Sequence, residues 1–243
     1  FILVFILGFI FIKGFRKINL TFLTADYSAS GNGGILPMIV STLYSVVLSI
    51  VVATPIGVLA AVYLQEYAKQ GKLVKVIRFA TESLSGIPSI VYGLFGSIFF
   101  VDVLGFGYSI LAGSLTVSII ILPVIIRTTE EALKSVPKSY REASLGLGAT
   151  KFQTLYKVIV PSSLPGVLSG VILSIGRVVG ESAAILLTSG TVAKMATSIM
   201  SSSRTLTVHA YLVTKESGDI EQAAVVGIVL IVIILLLNTV AKL

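Results

Sequence analysis

With 243 residues, 55% hydrophobic and 12% charged, and a mean hydropathy of +1.02, the chain is too apolar for a water-soluble domain and belongs in a bilayer. It has no Cys and a single His, His209, which excludes a disulfide framework, a thiolate metal site and a Ser/His relay; enzymatic chemistry is not expected of it. Its 18 Lys and Arg exceed its 11 Asp and Glu, a net +7, but they fall in a few loops, so membrane topology explains them better than nucleic-acid binding.

A membrane-crossing helix needs about 20 apolar residues. Residues 1–12 are almost wholly apolar and begin with Phe1, which predicts a first span whose cytoplasmic start is missing. Leu36 to Leu64 predicts the second span, inside a stretch without charge from Tyr27 to Gln65. Ser83 to Val101 and Val103 to Ile126 predict spans three and four, separated by Asp102, with Gly105 and Gly107 marking a tight external turn. Pro55, Pro88 and Pro123 fall inside these spans, where each frees a backbone carbonyl that lipid cannot satisfy, so those helices should face protein or a wet cavity. Val158 to Leu187, interrupted only by Arg177 and Glu181, predicts the fifth span, and Gln222 to Ala241 the sixth. The expectation is an all-α membrane protein, one transmembrane domain over 1–243 with six helices.

Orientation follows from the Lys and Arg, which concentrate on the cytoplasmic side. Lys69, Lys72, Lys75, Arg78, Arg127, Lys134, Lys138, Arg141, Lys151, Lys157 and Lys242 would share one side. Lys13, Arg16, Lys17, Lys194, Arg204 and Lys215 would lie on the other, which puts both termini in the cytoplasm and the segment from Thr188 to Glu221 outside.

Between spans four and five, Thr128 to Lys157 reads as short cytoplasmic helices. Ser139 with Glu142, and Thr150 with Gln153, each have capping-box spacing, and Gly148 between them suits the left-handed turn that ends a helix. Helix, sharp turn and helix would form a knob with apolar side chains beyond its caps, suited to a groove on a soluble partner or to packing under the bundle. Gly146 to Lys151 lacks the spacing of a phosphate-binding P-loop, so ATP hydrolysis would need a separate subunit.

This loop resembles a known signature. Glu142-Ala143-Ser144, three residues, Gly148, nine residues and Val158-Ile159-Val160-Pro161 are similar to the EAA loop of ABC importer permeases, with Ser144 for the second Ala and Val158 and Val160 for Ile and Leu. The resemblance implies a type I permease fold in which the loop between helices four and five is a coupling helix docking on the ATPase. It carries Glu142, Ala143, Ser144 and Gly148 over as coupling residues.

Arg177 and Glu181 lie inside span five, where an unpaired charge costs at least about 2.5 kcal/mol, so they must face protein or water. On a continuous helix they fall within roughly 40° of one another, on the side of Gly166 and Gly170, either as an ion pair holding the bundle or as part of an anion path. Arg127, at the cytoplasmic end of span four, is a guanidinium suited to tetrahedral oxyanions or an interfacial anchor.

Further motifs resemble the PstA-type permease of phosphate importers: Gly33-Gly34-Ile35, Ala61-Val62-Tyr63-Leu64 with Glu66-Tyr67-Ala68, Gly86-Ile87-Pro88-Ser89, and Arg177-Val178-Val179-Gly180-Glu181-Ser182-Ala183. Ser182 stands where Thr is usual. The resemblance implies Arg127, Arg177 and Glu181 as substrate-path residues and no cofactor on this chain, ATP and Mg being used by the partner ATPase. Its implied partners are a second permease of PstC type, two copies of a PstB-type ATP-binding subunit, an extracytoplasmic PstS-type phosphate-binding protein and membrane lipid, with no nucleic acid. The implied location is the bacterial or archaeal cytoplasmic membrane. A permease for another oxyanion, molybdate or sulfate, would share the loop; an ion-coupled secondary transporter could share the Arg/Glu pair but not the loop.

Overall fold

The computed structural model describes residues 1–15, 18–28 and 33–242. Arg16 and Lys17, assigned above to the external side, lie outside the described residues. All regular structure described is helical.

Helix α1 (Ile2–Gly14) packs along the final helix α12 (Ile220–Lys242), and a short α2 (Leu20–Thr24) leads toward α3 (Leu36–Val62), which continues through a π-helical turn to Tyr67. Helices α4 (Lys72–Ser85) and α5 (Ser89–Gly96, extended by a π-helical stretch to Val103) follow, then α6 (Ile110–Ser135). Next come α7 (Lys138–Gly146) and α8 (Lys151–Thr154), and a π-helical turn over Leu155–Ile159 carries α8 into α9 (Val160–Gly180). The chain closes with α10 (Ala183–Thr188), α11 (Leu206–Glu216) and α12.

Among the described residues, four helical stretches are long and apolar enough to cross a membrane: Leu36–Tyr67, Ile110–Ser135, Lys151–Gly180 and Ile220–Ala241. A fifth arises only if α4 and α5 count as one span, and these are bent by 98°. The third expected span is therefore not one rod from Ser83. Gly86 ends α4 and Pro88, extended at ψ 138, starts α5, because a proline ring disfavours helical backbone before it and cannot continue the ladder. The apolar part of α1, Val4–Gly14, is shorter than a bilayer's hydrocarbon core.

Span four begins at Ile110, where the Ser109 hydroxyl accepts from the Ala112 amide at 3.2 Å, and not at Val103. It runs on to Ser135, so the polar residues 127–135 continue the helix. Span five stops at Gly180, since Glu181 has extended backbone, and does not reach Leu187.

The core forms where α3, α6 and α9 meet α10 and α11: Val46, Ala53, Val117, Ile121, Ile175, Val178, Ile185 and Val208 are buried together. Small polar residues bring α3 and α6 close, with the Ser49 hydroxyl donating to the Ser114 carbonyl at 3.0 Å and the Ser118 hydroxyl to the Ser49 carbonyl at 3.2 Å. Of the prolines within helices, Pro123 is buried as expected, whereas the Pro55 ring lies on an exposed face of α3.

Candidate translocation path and coupling loop

The loop after α6 folds as helix, turn and helix. The Thr150–Gln153 capping box forms in full: the Thr150 hydroxyl accepts from the Gln153 amide at 3.2 Å, and Gln153 Oε1 accepts from the Thr150 amide at 2.9 Å. The Ser139–Glu142 box does not form. Pro137 is the N-cap of α7, its fixed φ of −57 starting the helix without a side-chain cap, and Ser139 lies one residue inside it.

Gly148 has φ +82, the left-handed conformation that reverses the chain between α7 and α8. Glu142, Ala143 and Gly148 are exposed, and Leu147 is 90% exposed at the tip. Ser144 is half-buried, its hydroxyl 2.9 Å from that of Thr154, which ties α7 to α8.

A contact that sequence reasoning missed fastens this knob to the bundle. Glu66, 8% exposed in the π-helical end of α3, receives two hydrogen bonds from the Arg141 guanidinium, Nη2 to Oε1 at 2.8 Å and Nη1 to Oε2. Its hydrogen bond to Glu66 raises the Arg141 pKa above an already high value, so Arg141 stays charged. Lys151 Nζ donates to the Glu66 carbonyl at 2.6 Å and lies 5.1 Å from the centre of the Tyr67 ring. The available signal was Glu66 itself, the one carboxylate between Gln65 and Arg78, where four cations stand.

The three charged residues expected along the path do not converge. Gly170 of α9 packs against Thr128 of α6, so Arg127 is level with Gly170. Arg177 is seven residues further along α9, about 10 Å away along the helix axis. Arg127 is exposed and pairs with Glu82 of α4 at 3.7 Å and with Glu131 at 3.4 Å. With Arg78, Glu130, Lys134 and Pro123 it lines a cavity of about 260 Å³ at the end of α6.

Arg177 is exposed and within electrostatic reach of the Tyr92 phenol on α5. Glu181 is 9% exposed and is not its ion-pair partner on one helix face, because α9 has ended. Glu181 instead joins elements: Oε1 accepts from the Ala184 amide at the start of α10 at 3.1 Å, and its carbonyl accepts from the Thr207 hydroxyl of α11 at 2.9 Å.

The segment from Thr188 to Glu221, expected on the external side, is folded back onto the bundle. Ser41 and Ser203 hydroxyls lie 2.5 Å apart, and the Leu206 amide donates to the Thr42 hydroxyl at 3.0 Å. Arg204 stacks on the Tyr27 ring at 4.5 Å, and fully buried His209 meets the same ring edge-on at 5.6 Å. Burial, helped by the Arg204 charge, lowers the His209 pKa to about 4, so the imidazole is neutral at physiological pH.

Residues 53–243 match the family model described as binding-protein-dependent transport system inner membrane component. The chain belongs to this family, the ABC importer permeases. The permease is thus a non-catalytic, multi-pass helical membrane component. It is 40% identical over 190 residues to the probable ABC transporter permease protein YqgI of Bacillus subtilis, covering 78% of this chain and 65% of that one. To the phosphate transport system permease protein PstA of Mycobacterium leprae it is 41% identical over 158 residues, 65% of this chain and 52% of that one. The permease chain thus spans about half to two thirds of the length of these relatives.

In fold it is similar to the MetNI methionine ABC transporter in an inward-facing conformation, with a TM-score of 0.66 at 22% identity over 86% of this chain and 91% of that one. It is also similar to a bacterial alginate ABC transporter in complex with an alginate pentasaccharide-bound periplasmic protein, with a TM-score of 0.69 at 14% identity, covering 97% and 84% of the two chains.

Proposed function

We propose that the permease is the PstA-type membrane subunit of an ATP-driven phosphate importer. The observation that carries this reading is its 41% identity over 158 residues to a phosphate permease, beside the Arg177-to-Ala183 motif that the sequence shares with that type. Phosphate is a small tetrahedral anion, and guanidinium groups match its oxygens in pairs. Arg177 and Arg127, exposed at two levels about 10 Å apart on adjoining helices, supply successive cationic stations.

Arg127, Arg177 and Glu181 are the residues assigned to the substrate path in this reading. Glu181, turned to cap α10, sets the break that ends α9 just beyond Arg177 and so positions that guanidinium. Arg127, neutralised by Glu82 and Glu131, would be freed when α4 and α6 shift.

In this reading the single domain 1–243 makes six passes in the cytoplasmic membrane of a bacterium or archaeon, with both termini inside. The α7–α8 knob docks Glu142, Ala143, Ser144 and Gly148 on a PstB-type ATPase, and a PstC-type permease completes the path. A PstS-type protein delivers phosphate to the external face that includes Thr188 to Glu221. Alternating access follows when ATPase closure moves the knob.

The test is complementation. Cells lacking high-affinity phosphate uptake should recover it when given this permease with the subunits encoded beside it. Arg177→Gln and Glu181→Gln should each impair uptake while the complex still assembles; normal uptake in either variant would refute the assigned role.

A further inference from the structure

Helix α4 has an outer face that none of the described residues covers. Its inner side is fixed: Val74 is 2% exposed and, with Ile77, packs on Ala61, Leu64 and Ile126. Arg78 is bound to Glu130 at 3.1 Å and Glu82 faces Arg127. On the outside Leu73 is 72% exposed, Val76 62% and Phe79 72%. At 100° per residue these three, with Ala80, form an apolar arc that Lys72 enters at the first turn and Ser83 at the last, while Lys75, Arg78 and Glu82 form a polar arc beside it.

Its setting explains this pattern. α4 follows the end of α3, contacts the last turns of α6 through Glu130, and meets the apolar α5 at 98°. If α5 crosses the membrane, α4 lies along its surface, at the level where the spans end. An amphipathic helix so placed buries its apolar arc at the boundary of headgroups and acyl chains. Lys69, Lys72 and Lys75 are exposed there, and among the described residues none of them is ion-paired to a carboxylate. The anion that complements three free ammonium groups at a bilayer surface is the phospholipid headgroup.

We propose that α4 lies in the membrane interface, its Leu73, Val76 and Phe79 arc in lipid, and that Lys69, Lys72 and Lys75 bind anionic phospholipid headgroups. The helix that carries Glu82 and Arg78 against α6 then reads the charge of the surrounding leaflet.

The chain contains no Trp, so Phe79→Trp, or independently Val76→Trp, provides a single reporter on this face. Each variant, assembled with the subunits encoded beside it, is placed in bilayers of phosphatidylcholine and phosphatidylglycerol, with bromine on the acyl chains of one lipid or the other. Tryptophan fluorescence should be quenched, and severalfold more efficiently by brominated phosphatidylglycerol at equal mole fraction. Replacing the three lysines with Gln should equalise the two lipids without abolishing quenching. No quenching by either lipid in both reporters would mean another protein chain covers the face, and equal quenching with the lysines intact would mean they select no lipid; each result overturns the proposal.

Discussion

Arg141 of the knob and Glu66 at the end of α3 are joined by paired hydrogen bonds across 75 residues of sequence, with Nη2 to Oε1 at 2.8 Å. Glu66 is buried and Arg141 is partly solvated, so the pair is a fixed anchor reached by a side chain that water also serves. In the coupling proposed above, this pair is the contact through which a movement of α7 would reach α3. Glu66→Gln should leave the ATPase active but reduce phosphate moved per ATP hydrolysed, with stability lowered by about 1–3 kcal/mol. The exchanged pair Glu66→Arg with Arg141→Glu should recover part of the coupling. Unchanged stoichiometry in Glu66→Gln would show that the contact does not transmit motion.

The turn at Gly148 makes a prediction about backbone alone. A Cβ there would meet nothing within 4 Å, yet φ is +82. Gly148→Val should therefore cost about 1–2 kcal/mol through the left-handed backbone, and Gly148→Asn less. ATPase stimulation by the reconstituted permease should rank Gly, Asn, Val; equal values would mean the turn tolerates another conformation.

At Gly170 the constraint is contact. A Cβ would lie 2.0 Å from the Thr128 hydroxyl, whereas at Gly176 nothing lies within 4 Å. Gly170→Leu should destabilise the permease by about 1–3 kcal/mol as α9 is pushed from α6, and Gly176→Ala should be nearly silent. Thermal unfolding in detergent measures both, and equal melting temperatures would contradict the close packing.

Acid sensitivity should trace to His209. Its folded pKa of about 4 is below the 6.5 of a free imidazole, so the unfolded chain takes up the proton first. This contribution is whole above pH 6.5 and is lost as the pH falls toward 4, reaching on the order of 3 kcal/mol. His209→Phe should flatten that part of the pH dependence of unfolding; an identical profile in both proteins would show that the imidazole is not held neutral.

Hydropathy made the long helices α3, α6, α9 and α12 legible, because lipid demands a run of apolar residues wherever a backbone crosses it. It could not locate breaks between apolar segments. Ile87-Pro88 and Gly180-Glu181 both interrupt apolar stretches, and the first was marked only by its proline. Polarity also misled in the opposite sense at 127–135, where Arg127 and Glu131 sit four apart and support the helix beyond the apolar run. The knob was readable from Gly148 and Thr150–Gln153 because caps are local chemistry. Its anchor to Glu66 was not, since a contact across 75 residues leaves no periodic trace.

The most direct measurement is uptake of radiolabelled phosphate into proteoliposomes containing this permease and the subunits encoded beside it, with the binding protein outside and ATP inside or omitted. Phosphate uptake that requires both ATP and the binding protein, and that molybdate and sulfate do not replace, is the predicted result. ATP-dependent uptake of a different anion would contradict the substrate, and uptake driven by an ion gradient without ATP would contradict the mechanism.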